Sequence, residues 1–209
     1  MKILIADDHA IVREGVKLIV KTLPEVKVID EASDGKEALA KLIKNNYDLA
    51  ILDISMPEIT GLDLLQKIKF HGIQTRVLML SFHPQEQYAI RAFKLGASGY
   101  LSKDSAFEEM AMAIRKIAAG GKYVSAAFAE KLLFNEVSST NDQLHESLSE
   151  REFQVMLMLA KGISVTQIAS EIFISDKTVA TYRSRIMEKM HMKKNAELTI
   201  YAIRSKLIE

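Results

Sequence analysis

Two adjacent carboxylates follow the first apolar run of the chain, in the stretch KILIADDHA at residues 2–10. Asp7 and Asp8 stand side by side, and like charges this close disfavour ionisation unless a cation neutralises them. Three further polar side chains end or follow later apolar runs: Asp53, Ser81 and Lys103. Carboxylate oxygens without cysteine or paired histidine suit a hard cation, so the pattern predicts a Mg²⁺ site.

A carboxylate beside such an ion can attack a phosphoryl group to form an aspartyl phosphate, in which catalysis reduces to positioning and charge neutralisation. Lys103 and the hydroxyl of Ser81 would supply the rest of that neutralisation. Each position alone is most often ordinary turn chemistry, but five together favour a reactive site. His9 and His83 are interpreted as loop histidines without a ligand role, because they lack the spacing of a helical zinc site. Gly61 is predicted to permit a backbone turn or close approach.

Five short apolar runs alternate with amphipathic stretches over residues 1–120. The runs lie at 3–6, 26–32, 49–53, 76–81 and 98–102. They are too continuous for half-exposed strands, and the stretches between them carry apolar residues at helical spacing. Five βα units of this kind predict a doubly wound parallel α/β domain, in which sites form outside the carboxyl ends of the strands. The polar positions are therefore predicted to meet at one edge of the sheet.

Composition restricts the class of protein. The 209 residues exceed one typical domain, 48% hydrophobic residues suffice for a core, and a net charge of +1 excludes a uniformly basic or acidic chain. The chain has no cysteine, which excludes a disulfide framework and a thiolate metal site. No apolar stretch approaches the roughly 20 residues of a membrane span. We expect a cytoplasmic protein without membrane insertion.

The last third of the chain predicts a small all-α domain. Residues 148–162 predict a helix that begins with a capping box formed by Ser149 and Glu152. Residues 165–173 predict a second helix, and a longer third helix follows the N-cap residue Ser175. Two short helices, a tight turn and a longer helix describe a helix-turn-helix, whose second member enters the major groove of DNA.

The third helix of this domain combines an apolar face with basic residues. Val179, Ile186 and Met190 recur at helical spacing and are predicted to face the core. Residues 175–206 carry eight basic and three acidic side chains, which suits DNA phosphates, although a solvated basic face is the alternative. We expect DNA contacts from the following side chains: Lys177, Thr178, Thr181, Tyr182, Arg183, Ser184, Arg185 and Lys189.

These motifs carry a family resemblance. The first part of the chain resembles a bacterial response-regulator receiver domain, which has a flavodoxin-like (βα)5 fold, in its motifs DDH, LDISMPEITGLDLL, MLS and GYLSKD. The last part is similar to the LuxR-type helix-turn-helix of the NarL/FixJ response regulators. The resemblance implies a receiver at 1–120, a linker with a short helix at 121–146, and a DNA-binding domain at 147–209.

The resemblance implies specific roles for the site residues. Asp53 is the phosphoacceptor, and Asp7 and Asp8 hold Mg²⁺ together with Asp53 and the backbone carbonyl of Ser55. The remaining roles are those of the switch hydroxyl Ser81, the switch aromatic Tyr100 and the phosphoryl-binding Lys103. The implied partners are a histidine kinase or small phosphodonor, double-stranded DNA, and a second copy of the chain after phosphorylation. Apart from self-phosphorylation and slow autodephosphorylation, no enzymatic turnover is expected.

Two departures from the family pattern leave alternatives open. Asp104 follows Lys103 where proline is frequent, which predicts a trans peptide bond. Phe82 follows Ser81 where a small residue is frequent, so a receiver that works without phosphate, with Phe82 blocking the site, is one alternative. An aspartate-nucleophile phosphatase is the other. It is disfavoured because such enzymes usually place nucleophile and acid two residues apart on one strand.

Overall fold

The computed structural model describes residues 1–82, 85–105, 107–125, 129, 144–205 and 207–208. The chain divides into two compact units, Met1–Glu136 and Val137–Glu209. The short helix predicted within the linker, over 126–134, lies outside the described residues except for residue 129, and His83 lies outside them as well. The segment boundaries at 120 and 146 stay predictions.

The first unit contains a five-stranded parallel sheet with helices on its faces. Its strands, in the order β2-β1-β3-β4-β5, are β1 (Lys2–Ala6), β2 (Val28–Ala32), β3 (Leu49–Asp53), β4 (Arg76–Ser81) and β5 (Gly99–Ser102). Its helices are α1 (Ala10–Lys21), α2 (Gly35–Lys44), α3 (Gly61–Phe70), α4 (Gln85–Leu95) and α5 (Phe107–Ala118). The predicted doubly wound, flavodoxin-like sheet is confirmed.

The core explains why these runs form strands. β3 is buried along its whole length, since helices cover both faces of the sheet. On one face, Ile3 and Ile5 of β1 pack in a cluster with Val20 of α1 and Ile114 of α5. Full burial of an isoleucine or valine side chain stabilises the fold by about 1.5–3 kcal/mol, so this cluster holds the strand ends in register.

The segment after α5 covers one edge of the sheet. Tyr123 forms a parallel bridge with Gly99, and its N–H donates to the carbonyl of Ser98 at 2.9 Å. Its own carbonyl accepts the N–H of Tyr100 at 3.3 Å. An uncovered edge strand would expose unpaired backbone groups to other chains. The sequence did not predict this pairing, because the GKYVS stretch is too short for a periodic pattern.

The described part of the second unit begins with a 3₁₀ turn, Leu144–Ser147, and continues with four α-helices. These are α6 (Glu150–Ala160), α7 (Val165–Glu171), α8 (Asp176–Lys189) and α9 (Asn195–Arg204). The three predicted helices are confirmed, although α7 ends earlier than 173 because Phe173 adopts a positive φ of 55°. α9 was not predicted. Its buried Leu198 and Ala202, four residues apart, are the signal that indicates it.

The predicted capping box of α6 is present and extends into an ion pair. The N–H of Ser149 donates to Glu152 Oε2 at 2.7 Å, and the N–H of Glu152 donates to Ser149 Oγ at 3.4 Å. Lys189 of α8 donates to the same Oε2 at 2.6 Å. Burial by itself raises the pKa of Glu152, but the hydrogen bonds from Lys189 and Ser149 outweigh it and the pKa is lowered. Glu152 therefore joins α6 to α8.

We expect Glu152→Gln to lower the free energy of unfolding of the second unit by about 1–2 kcal/mol at pH 7, because the amide accepts hydrogen bonds but carries no charge for Lys189. A pKa that is lower in the folded state gives stability that is present above the unfolded pKa, near 4.3, and is lost as pH falls through the folded pKa. Hydrogen–deuterium exchange of the α6 amides measures the difference, which should keep its size from pH 7 to about pH 5 and shrink as the pH falls below the unfolded pKa of Glu152. A difference that stays constant with pH would contradict the ion pair.

Candidate functional site

Four strands deliver polar side chains to one edge of the sheet. Asp7 follows β1, Asp53 ends the neighbouring β3, Ser81 ends β4, and Lys103 follows β5. The register pairs Ala6 with Leu52, which brings Asp7 and Asp53 to the same level of the sheet. On the other side, the N–H of Lys103 donates to the carbonyl of Ser81 at 2.9 Å. The parallel register therefore assembles the pocket.

The side chains in this pocket approach closely. Carboxylate oxygens of Asp7, Asp8 and Asp53 and a ring nitrogen of His9 all lie within 4.8 Å of one another. Lys103 Nζ lies 2.7 Å from Asp7 Oδ2 and 2.9 Å from Asp53 Oδ1, and all three of these side chains are 2% exposed. Asp8 and His9 lie at the surface. The structure thus brings together the carboxylates and the lysine that the sequence singled out.

Burial raises the pKa of Asp53 to about 6. The charge of Lys103 opposes this rise, the charge of Asp7 adds to it, and hydrogen bonds from Lys103 and the Ser55 backbone N–H lower the pKa. At pH 7 such a carboxyl group is about nine-tenths ionised. Its Oδ2 atom is buried and accepts no hydrogen bond from the described residues. A buried oxygen of this kind is costly to leave unsatisfied, so it fits a ligand that is not part of the chain.

The donor set fits a hard divalent ion. Asp7, Asp8 and Asp53 offer oxygen atoms, and Mg²⁺ is typically held by one or two carboxylates together with waters and phosphate oxygens. Ser55 lies next to these donors through its N–H contact with the Asp53 carboxylate. Coordination by the Ser55 carbonyl stays a prediction.

Gly61 allows the backbone to pass close to Asp53. A Cβ atom at Gly61 would lie 2.2 Å from the backbone oxygen of Asp53, which is far inside any real contact. The N–H of Gly61 also donates to the carbonyl of Ile54 at 2.9 Å. The predicted close approach is confirmed, and it ties the first residue of α3 to the end of β3.

Sequence reasoning missed Arg13. On α1, its Nη1 donates to the backbone carbonyl of Asp7 at 2.8 Å, and its Nε donates to Glu31 Oε2 at 3.2 Å. Arg13 therefore fixes the peptide that joins Asp7 to Asp8 and links it to β2. Only the packing of α1 against the strand ends creates this contact, and no spacing along the chain signals it.

The predicted switch residues and Phe82 surround the lysine side of the pocket. Ser81 is buried at the end of β4, and Tyr100 is buried within β5, opposite Met79. Phe82 is 58% exposed, and the centre of its ring lies 5.1 Å from Lys103 Nζ. The Lys103–Asp104 peptide bond is trans, as predicted. Phe82 thus borders the pocket at its surface.

In the second unit, α8 has a buried apolar face and an exposed polar face, as the sequence indicated. Val179, Ile186 and Met190 are at most 1% exposed, so their predicted core position is confirmed. Among the predicted DNA-contacting side chains, the exposed members are Lys177, Thr181, Ser184, Arg185 and Lys189. The half-buried members are Thr178, Tyr182 and Arg183.

Several of these side chains already bond within the unit. Thr181 Oγ1 donates to the carbonyl of Lys177 at 2.9 Å, and Ser184 Oγ donates to that of Ala180 at 3.1 Å. Arg183 Nε donates to Asn195 Oδ1 at 2.9 Å. The hydroxyl oxygens keep lone pairs that accept from base donors. Arg183 and Lys189 would have to exchange their protein partners for phosphate, so Lys177 and Arg185 are the stronger phosphate candidates.

Arg185→Ala is expected to flatten the salt dependence of binding to duplex DNA by about one unit in the slope of log K against log salt, because each lost phosphate contact releases about one counterion fewer. Fluorescence anisotropy over a salt series measures the slope. Thr181→Ala serves as the matched control on the same exposed face and leaves the slope unchanged. An equal slope for Arg185→Ala and the unmodified chain would remove the phosphate role.

A parallel sheet with a buried aspartate beside a lysine, joined in one chain to a helix-turn-helix unit, defines a two-domain regulator. The family model "Response regulator receiver domain" matches residues 3–115, and "Bacterial regulatory proteins, luxR family" matches residues 146–202. The chain therefore belongs to the response regulators of two-component systems, in the NarL/FixJ group with a LuxR-type DNA-binding domain. Its partners are a histidine kinase and DNA.

Individual relatives extend over nearly the whole chain. Response regulator UvrY of Escherichia coli K12 is 35% identical over 205 residues, covering 98% of this chain and 94% of UvrY. Oxygen regulatory protein NreC of Staphylococcus epidermidis is 37% identical over 218 residues, covering 100% of each. The structure of an RcsB–DNA complex matches with a TM-score of 0.61 at 25% identity, over 96% of each chain.

Among the residues that the structure describes, no helix has both the length and the apolar character of a membrane span.

Proposed function

We propose that Mg²⁺-dependent phosphorylation of Asp53, by a histidine kinase or a small phosphodonor, controls DNA binding by this chain. One observation carries the proposal. The carboxylate of Asp53 is buried between Asp7 and Lys103, yet its Oδ2 atom accepts no hydrogen bond from the described residues. Its pKa of about 6 leaves it ionised at neutral pH and more basic than an ordinary aspartate, as a nucleophile requires.

The chemistry follows from the positions of the side chains. A carboxylate oxygen of Asp53 attacks phosphorus, a new P–O bond forms, and the bond between phosphorus and the donor breaks with its electrons leaving on the donor. Asp7, Asp8, Asp53 and the Ser55 carbonyl would hold Mg²⁺, which would neutralise charge on the phosphoryl oxygens. Lys103, within reach of Asp53 Oδ1, pairs with one phosphoryl oxygen, and the Ser81 hydroxyl donates to another.

Control of DNA binding by phosphorylation requires a part of the receiver that can adopt two conformations. The phosphoryl group carries about −1.5 to −2 charge where the carboxylate carried one negative charge, and it acts by biasing the positions of Ser81 and Tyr100. This remodels the surface around β4 and β5, favours a dimer of the chain, and strengthens the binding of DNA through α8. Slow hydrolysis at Asp53 ends the signal, without turnover of an external substrate. This function places the protein in the cytoplasm with the chromosome.

The test uses beryllofluoride, which mimics a phosphoryl group on the aspartate. NMR of the full chain titrated with beryllofluoride and Mg²⁺ should shift the amides around Asp53, Ser81 and Lys103. Sedimentation should then show a dimer, and affinity for duplex DNA should rise. Mg²⁺-dependent shifts without any change in assembly or DNA binding would contradict phosphate control. Absence of any shift would favour a receiver that works without phosphate, with Phe82 blocking the pocket.

A further inference from the structure

His9 brings a nitrogen atom into a pocket of carboxylates. Its Nδ1 lies 2.9 Å from Asp8 Oδ1 and 3.3 Å from Asp7 Oδ1. Its backbone N–H donates to Asp7 Oδ1 at 2.9 Å, which fixes the loop that carries the ring. The ring is exposed, in keeping with the sequence interpretation of His9 as a loop histidine, but it also contacts two carboxylates of the pocket.

The position of His9 at the start of α1 supports a role for the ring. His9 is the N-cap residue of α1, where Ser, Thr, Asp or Asn is preferred, and its side chain makes no capping hydrogen bond. The ring faces the carboxylates instead. The side chain of His9 therefore interacts with the pocket and does not cap the helix.

The distances suit one shared ion. With metal–ligand bonds of about 2.1 Å, donor atoms on an octahedral ion are roughly 3–4 Å apart. The donor atoms of Asp7, Asp8, Asp53 and His9 lie within 4.8 Å of one another, so a small closure brings all four onto one ion. Asp8 and His9 are exposed and have the side-chain freedom to make that closure. Asp53 is buried and stays in place during this closure, and its Oδ2 atom accepts no hydrogen bond from the described residues.

We infer that His9 is a direct ligand of the divalent ion, so that the pocket favours a borderline ion such as Mn²⁺ over Mg²⁺. Imidazole nitrogen suits the first-row transition ions, whereas Mg²⁺ takes oxygen ligands and keeps its waters. The inference rests on the proposed function, because it takes Asp7, Asp8 and Asp53 as the ion site. It adds a nitrogen ligand to the proposed oxygen ligands, and with it a chemical preference that oxygen ligands alone do not provide.

The test is pulsed EPR of Mn²⁺ bound to the full chain, together with dissociation constants for Mn²⁺ and, by competition, Mg²⁺. The unmodified chain should show hyperfine coupling to an imidazole nitrogen, and His9→Gln should abolish it. In His9→Gln the dissociation constant for Mn²⁺ should rise about tenfold, while that for Mg²⁺ changes by less than about twofold. His71→Gln is the matched control and should keep the coupling, because His71 is the exposed C-cap residue of α3.

The possible failures separate the two proposals. Mn²⁺ bound without nitrogen coupling, or with coupling that survives in His9→Gln, would overturn the ligand role of His9 and leave the ion site standing. Equal losses of Mn²⁺ and Mg²⁺ affinity without coupling would make His9 a hydrogen-bond donor to Asp8, which also overturns the inference. If neither ion binds the unmodified chain, the proposed function falls together with the inference.

Discussion

The Asp53→Asn variant is expected to lose covalent phosphoryl labelling to below detection, where the unmodified chain is labelled by a small phosphodonor in the presence of Mg²⁺. An amide oxygen does not form an acyl phosphate, and the neighbouring Asp7 is engaged through Oδ2 with Lys103 at 2.7 Å and through Oδ1 with the N–H of His9 at 2.9 Å. Intact mass spectrometry after incubation with the donor measures the labelled fraction. Labelling that persists would move the nucleophile to another carboxylate.

The loss of labelling in Asp53→Asn is informative only if the variant stays folded. The electrostatic environment of Asp53 indicates that it does. The pKa of Asp53 is raised to about 6, first by burial, so the folded state disfavours its ionised form. Between the unfolded pKa near 3.9 and the folded pKa, rising pH therefore removes stability. At pH 7 the uncharged asparagine relieves this penalty, so we expect Asp53→Asn to be at least as stable as the unmodified chain. Asp48→Asn, at the exposed opposite end of the same strand, should keep full labelling.

Gly61→Ala is expected to lower the free energy of unfolding of the first unit by about 1–3 kcal/mol. The new Cβ atom would meet the backbone oxygen of Asp53 at 2.2 Å, and a backbone neighbour cannot turn aside as a flexible side chain does. Relief of the clash requires movement of α3 or of the end of β3. That movement displaces Asp53 relative to Lys103, so the rate of labelling should fall as well. Urea unfolding and labelling kinetics measure the two effects.

Gly15→Ala is the matched control for this prediction. Gly15 lies inside α1, and a Cβ atom there would meet nothing within 4 Å. Alanine is the better helix former, so this variant should gain about 0.5–1 kcal/mol without any change in labelling. The same substitution is therefore expected to have opposite signs at the two glycines. A Gly61→Ala variant as stable and as reactive as the unmodified chain would contradict this prediction, because it would show that the end of β3 moves without loss of stability.

The pocket carboxylates could be predicted from sequence because strand ends are local features. Asp7, Asp53 and Ser81 each follow an unbroken apolar run, and parallel strands place their carboxyl ends at one edge. The number and direction of the strands followed from the same runs. Close approach at Gly61 followed from residue type, since glycine alone lacks the Cβ atom that would clash.

Contacts that depend on the packing of one element on another could not be predicted in this way. Arg13 reaches the carbonyl of Asp7 only because α1 packs beside β1, and the ring of His9 turns toward Asp8 only when the loop is closed. In the second unit, Lys189 bonds to Glu152, which is 37 residues distant along the chain. A sequence distinguishes a basic residue from an apolar one, but not a paired lysine from an unpaired one.

The bridge of Tyr123 to β5 has a mechanical consequence. Tyr123 adds a backbone pairing beside Tyr100, so the chain that follows α5 is hydrogen-bonded to the strand that bears the proposed switch aromatic. A sideways displacement of that strand must either drag this pairing along or break its two peptide hydrogen bonds. A displacement of β5 is therefore transmitted to residue 123 through main-chain atoms alone, without any side-chain contact.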